Sequence, residues 1–169
     1  SGSIGGSISA SGDAPISIKN EGNANIGGDI KSTGNAPITI TNSSPQGIQG
    51  SITSSGNAPL NITNSGSGKI NGGITSNGKT NITNNGGNIQ GSITTNGNAP
   101  LNITNSGSGS IGGSISASGN APISITNSDN AKVAGNIEVS GDAPISISNS
   151  STQGIVGDIT ASGDAPISI

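Results

Sequence analysis

The chain has no aromatic residue and no Met, Cys, His or Arg. Without His, Cys, Tyr or Arg it lacks the side chains that most often act as catalytic base, nucleophile or anion clamp. An enzyme is not expected, and neither is a cofactor or a metal. The absence of Cys removes any disulfide framework. With Met also missing there is little to oxidise, which suits an exposed, extracellular setting. Charge is scarce as well. Five Lys and eight acidic residues leave a net charge of −3, spread along the chain. No basic patch exists to attract nucleic acid or an anionic membrane surface. No apolar run approaches the length of a membrane span, and no signal-peptide pattern opens the sequence. If the protein is exported, its targeting segment is expected to have been removed or to lie outside this sequence.

What is present is Gly, at 30 of 169 residues, with Asn, Ser and Thr. Such a composition alone would suggest disorder. The Ile residues argue otherwise, because they are spaced. One unit, GIQGSITSSGNAPLNITNSGSG at Gly47–Gly68, recurs throughout. Its first Ile falls at Ile4, Ile26, Ile48, Ile70, Ile89, Ile111, Val133 and Ile155, a period of 22 with one shorter step of 19. Rungs begin near residues 1, 23, 47, 69, 88, 110, 132 and 154 of one repeat domain, 1–169. Periods of this size mark a solenoid. A longer repeat lies over the first. Ser3–Ile18 returns as Ser110–Ile125 with one change, Asn120 for Asp13, and Ala36–Thr53 returns in modified form as Ala143–Thr160. Both pairs are offset by 107 residues, or five rungs.

Within a unit the apolar residues alternate, and Ile is β-branched, so each rung reads as two short strands. In the first rung these are expected near Ser3–Ala10, with Ile4, Gly6, Ile8 and Ala10 facing inward, and near Pro15–Lys19. Gly-Asn/Asp-Ala-Pro forms one corner, where Gly is expected at positive φ and Asn or Asp in an Asx-turn. The polar tail forms the other corner. Two such strands cannot bury an Ile face alone, but stacked units can. The expected fold is an all-β parallel solenoid of about eight rungs, right-handed by the crossover rule, with uncapped ends. At ~4.8 Å per strand the rod is roughly 37 Å long. The recurrent Gly6 column is expected to let the two sheets approach. Open parallel edges invite further pairing, so the expected partner is the chain itself, stacked head to tail, or the continuation of a longer array.

The fourth rung departs from the pattern. Gly78-Lys79-Thr80-Asn81-Ile82 replaces Gly56-Asn57-Ala58-Pro59-Leu60-Asn61-Ile62, and one large core residue is lost. A thin spot in the core is expected there.

Two sets of residues stand out as candidate sites. Asn20, Asn42, Asn64, Asn84, Asn105, Asn127 and Asn149 hold one column and are expected to form a ladder of amides. The outward positions of the second strand include Thr39, Thr41, Thr63, Thr83, Thr104 and Thr126. Stacked, they give a flat grid of hydroxyls and amides, interrupted by Asn and Ser. Other motifs have bland explanations. Asp142 and Asp164 share a corner column with Asn, which argues for turn formation rather than calcium binding. Gly107-x-Gly109-x-x-Gly112 fits a dinucleotide fingerprint on paper, but no helix pattern follows it. Asn61-Ile-Thr63, Asn81-Ile-Thr83, Asn102-Ile-Thr104, Asn42-Ser-Ser44 and Asn149-Ser-Ser151 fit the N-glycosylation pattern, which matters only where a secretory pathway glycosylates.

The repeat resembles the low-complexity β-solenoid stalks of bacterial surface proteins, of the filamentous-haemagglutinin-like and autotransporter-passenger classes. That resemblance implies export to the cell surface, a rod-like form, and roles in adhesion or biofilm. The period also matches curli-type amyloid subunits, whose regular Gln and aromatic residues are absent here. The outward grid is similar to the Thr-x-Thr faces of ice-binding β-solenoids. The leading expectation is an extracellular filament subunit or rigid fibre segment, and the alternative is a module that binds ice or another surface.

Overall fold

A computed structural model describes residues 2–169. It is an all-β solenoid of about seven turns, with parallel strands stacked roughly one repeat apart and no helix among the described residues. Three ladders run along it. One eight-stranded sheet contains the segments that precede the Gly-Asn/Asp-Ala-Pro corner, such as Ile30–Ser32 and Ile52–Ser54. A second eight-stranded sheet contains the segments after Ala-Pro, such as Ile38–Asn42 and Leu60–Ser65. These are called here the short-strand and long-strand sheets. The third ladder is narrow. It comprises Lys69–Ile70, Asn88–Ile89, Ser110–Ile111 and Lys132–Val133. Single bridges extend it through Ile4, Ile26, Ile48 and Ile70, and from Val133 to Ile155.

The expected strand over Ser3–Ala10 is therefore two pieces, a bridge at Ile4 and a strand at Ile8–Ala10, with a bend at Gly6. The role of that glycine also differs from expectation. A Cβ at Gly72 would stand 2.7 Å from Ser51 N and closer still to Gly50, the same position one rung back. The glycine column thus lets successive rungs approach each other along the axis. It does not bring facing sheets together.

The Gly-Asn/Asp-Ala-Pro corner needs glycine for two reasons. Gly119, Gly141 and Gly163 adopt positive φ of 86°, 126° and 109°. In the earlier rungs φ is ordinary, but a side chain at Gly34, Gly56 or Gly78 would strike the backbone of the preceding rung. The corner Asn and Asp residues serve the next rung. Asn120 N–H donates to Asn98 Oδ1 at 3.1 Å, and Asp164 N–H donates to Asp142 Oδ1 at 3.0 Å.

The core is a set of stacked aliphatic columns. Ile48, Ile52, Leu60 and Ile62 of the third rung are 0–2 % exposed, and their equivalents in rungs two to seven are similarly buried. The end rungs have a neighbour on one side only, and Ile4, Ile167 and Ile169 are 46, 46 and 77 % exposed. The short fourth rung keeps every register. Thr80 pairs with both Leu60 and Leu101, and the missing residues come from its corners. Thr80 lies in the Leu column, fully buried, and its hydroxyl donates to Gly78 O at 3.0 Å. Leu appears in this column only at Leu60 and Leu101, on either side of Thr80. The γ-branched side chain reaches farther than Ile, so the two Leu residues lie where the smaller Thr leaves most room.

Candidate functional site

The Asn column lies at the end of the long strands, where the chain turns into the tail. Asn20, Asn42, Asn64, Asn84, Asn105 and Asn127 are 0–2 % exposed. Each donates from Nδ2 to Oδ1 of the next. The distances are 2.8 Å for Asn20 to Asn42, 2.7 Å for Asn42 to Asn64 and 2.8 Å for Asn64 to Asn84. They continue at 2.8 Å for Asn84 to Asn105, 2.8 Å for Asn105 to Asn127 and 2.9 Å for Asn127 to Asn149. The other N–H of each amide goes to a backbone carbonyl in the tail or at the start of a narrow-ladder strand. Asn42 reaches Lys69 O at 2.9 Å, Asn84 reaches Gly87 O at 2.9 Å and Asn105 reaches Lys132 O at 3.0 Å. Only the nitrogen can face a carbonyl, so this second bond sets the direction of the whole ladder. Asn149, the last member, is exposed.

The tail that these amides support has two forms. Where it reads Asn-x-Gly, the residue two after the ladder Asn turns left-handed, at Gly22, Gly66, Gly86 and Gly107. Asp129 takes the same place at φ 60° and accepts Gly107 N–H on its carboxylate at 2.9 Å. Where it reads Asn-Ser-Ser-x-Gln-Gly, the left-handed residue is Gly47 or Gly154. Ser44 then donates to Ala24 O at 2.6 Å and accepts Gln46 N–H at 3.2 Å. Ser151 repeats this with Ala131 and Gln153.

The outer face of the long-strand sheet carries two polar columns. One is Lys19, Thr41, Thr63, Thr83, Thr104, Thr126 and Ser148, paired in unbroken register. The other is Ser17, Thr39, Asn61, Asn81, Asn102, Ser124 and Ser146. Thr39 thus stands beside Thr41, while the remaining predicted grid residues form a single file. Asn81 donates to Asn61 at 2.8 Å and Asn102 donates to Asn81 at 3.0 Å. This second, half-buried amide ladder runs opposite in direction to the inner one.

A third polar column is inside the protein, and sequence reasoning missed it. Ser32, Ser54, Ser76 and Thr95 are 0–1 % exposed on the inner side of the short-strand sheet. Ser32 and Ser76 donate to Ala36 O and Gly78 O, each at 3.2 Å, whereas Ser54 Oγ and Thr95 Oγ1 have no partner among the described residues. The signal was the alignment with Ala10, Ala117, Val139 and Ala161 in the same column. A position that takes both Ser and Val in register is an inner position that tolerates small side chains.

The weaker motifs find ordinary places. Gly109 and Gly112 N–H groups are spent on Ser106 O and Ile89 O, at 3.0 and 2.8 Å, so the glycine-rich stretch has no free cradle of amides. Of the glycosylation triplets, Asn42 is buried and bonded, whereas Asn61, Asn81 and Asn102 face outward. Among the described residues, no cluster of three or more His, Cys, Asp or Glu is placed to hold a metal, and no helix is long and apolar enough to cross a membrane. No protein-family model matches the chain, and neither a curated protein nor a solved structure shows significant similarity to it.

Proposed function

We propose that this is an extracellular structural protein, a filament-forming subunit or a rigid fibre segment of a surface adhesin or biofilm matrix, extended by axial stacking of rungs. The observation that carries the reading is the self-complementarity of the rung. Each of rungs one to seven presents strand edges and the same ladder amide, with Nδ2 on one side and Oδ1 on the other. A surface that pairs with its own copy in a translated position builds a heterologous, open assembly. Rung one also carries the sequence of rung six, which in this structure stacks on rung five. The chemistry needed to accept a preceding rung is therefore present twice. The chain's freedom from Cys, Met and most reactive side chains suits a persistent role outside the cell.

Electron microscopy of the purified chain tests this. Rods extended along the solenoid axis, with the ~4.8 Å repeat of stacked strands in diffraction, are expected. A preparation that contains only isolated particles at high concentration would overturn the reading.

One observation favours a second reading, in which the long-strand sheet binds ice or another ordered surface. Thr41, Thr63, Thr83, Thr104 and Thr126 form one file at rung spacing, beside amides that hold each other in place. Thermal hysteresis that disappears in Thr83→Lys, with the fold intact by circular dichroism, is the expected signature. Its absence in the unaltered chain would end this second reading and leave the first untouched.

A further inference from the structure

The outer face of the short-strand sheet, which neither reading uses, has a charge pattern of its own. Its outward column runs Ser9, Lys31, Thr53, Thr75, Thr94, Ser116, Glu138, Thr160, paired residue to residue through all eight strands. It holds one cation and one anion. Lys31 is second from one end, Glu138 is second from the other, and four uncharged hydroxyl residues separate them. Both charged side chains are exposed, and neither forms an ion pair among the described residues. Five rungs apart, at ~4.8 Å each, they cannot reach one another within a chain.

We infer that this face pairs with the same face of a second copy, in antiparallel orientation. The column is symmetric in position and antisymmetric in charge. A two-fold axis in the plane of contact, perpendicular to the rod and midway between Thr75 and Thr94, lays each column on its reverse. Lys31 then meets Glu138 of the second copy at both ends, Thr53 meets Ser116, and Thr75 meets Thr94. Such a contact is isologous and closes as a dimer. Laid parallel, the same faces would oppose Lys31 to Lys31 and Glu138 to Glu138. The charges therefore select orientation and register more than they add affinity.

A second observation agrees. A groove of about 270 Å³ lies beside Glu138, lined by Ser116, Glu138, Val139, Ser140, Thr160 and Ser162. It is open to the outside and has hydroxyls on its walls with one carboxylate. A Lys side chain fits this chemistry, since its apolar stem lies along a wall and its ammonium reaches an anion. Asp13 and Asp164 would approach each other at the two ends. They belong to the Gly-Asp-Ala-Pro corner, off the face, where solvent screens them.

Zero-length carbodiimide cross-linking, which joins a Lys amine to a carboxylate in direct contact, reads this geometry. Lys19 and Glu21, 3.1 Å apart within one chain, provide the internal control. The expected product is a covalent dimer whose digest contains a Lys31–Glu138 linkage. K31E and E138K each place like charges at both ends, and are expected to lower the yield of dimer by about tenfold or more. The double variant K31E/E138K restores opposite charges, and its dimer should return with the linkage reversed. Formation of the Lys19–Glu21 link without any Lys31–Glu138 link would overturn the inference. So would a double variant that stays monomeric while circular dichroism shows it folded. Because the linkage is lateral, it can be absent from filaments that still grow axially, so the two proposals fail separately.

Discussion

Two amide ladders cross rungs three to five side by side. The inner one passes through Asn64, Asn84 and Asn105, and the outer one through Asn61, Asn81 and Asn102. They share residue type, spacing and bond, with inter-amide distances of 2.8–3.0 Å in both. They differ in burial and in the second N–H. Inner amides are sealed from water and spend that N–H on a tail carbonyl, while outer amides are half exposed and have only one another. The comparison separates a hydrogen bond from its context. A buried donor or acceptor left without a partner costs its full desolvation, whereas an exposed one returns to water at little loss. The inner ladder therefore ties the tail corner to the sheet, and the outer one orders a surface.

The comparison predicts its own largest effect. Asn84→Asp keeps the size of the side chain but replaces two donors with a carboxylate next to Asn105 Oδ1 and Gly87 O, both acceptors. At neutral pH this is a buried charge in the wrong company, and on the order of 4 kcal/mol of stability should be lost. Burial raises the carboxyl's folded pKa above its unfolded value of about 4. The protonated form is then the one tolerated, so the deficit is smallest below pH 4 and grows as pH rises through that region. Urea unfolding at pH 3 and pH 7 measures the difference, and an equal deficit at both would show that the site is wet. Asn84→Ala is expected to cost somewhat less, about 3 kcal/mol, because it leaves one N–H of Asn64 Nδ2 and Asn105 Oδ1 without a partner and adds no charge, while Gly87 O keeps the N–H of Ser110. Asn81→Ala, on the outer face of the same strand, is expected to change stability by under about 0.5 kcal/mol. Equal losses for Asn84→Ala and Asn81→Ala would break the comparison outright.

Much of this architecture can be read in the sequence because stacking turns a periodic chain into columns. Ile48, Ile70 and Ile89 align in the letters as they do in space. The inner Asn column is legible for the same reason. Other features fail for reasons that can be named. Ile4-Gly6-Ile8 alternates like a strand, yet the chain bends at Gly6, since a residue without a side chain fits either reading. Its recurrence in every rung marked a steric demand, but not that the demand came from the rung below. Corner Asn and Asp residues looked like local turn formers, and it takes the stacked neighbour to show Asn98 accepting the amide of Asn120. Ser54 and Thr95 carry no apolar signal of their own, and only their register with Ala10, Ala117 and Val139 marks the position as an inner one.

The smallest effect is expected from the outer ladder as a whole. Replacing Asn61, Asn81 and Asn102 together with Thr removes the outer ladder entirely and extends the Thr39 position into a second Thr file, bounded by Ser17 and Ser124. If the outer amides only order a surface, both inter-amide bonds can go with little consequence, because each site is half exposed and Thr is at home in a strand. The net change should stay within about 1 kcal/mol, since β-propensity offsets the lost contacts. The same variant raises the density of hydroxyls on that face. If the face binds an ordered surface through its Thr file, thermal hysteresis should rise above that of the unaltered chain while the melting curve stays in place. A large fall in stability would instead mean that the outer ladder supports the fold as the inner one does, and that burial is not what distinguishes them.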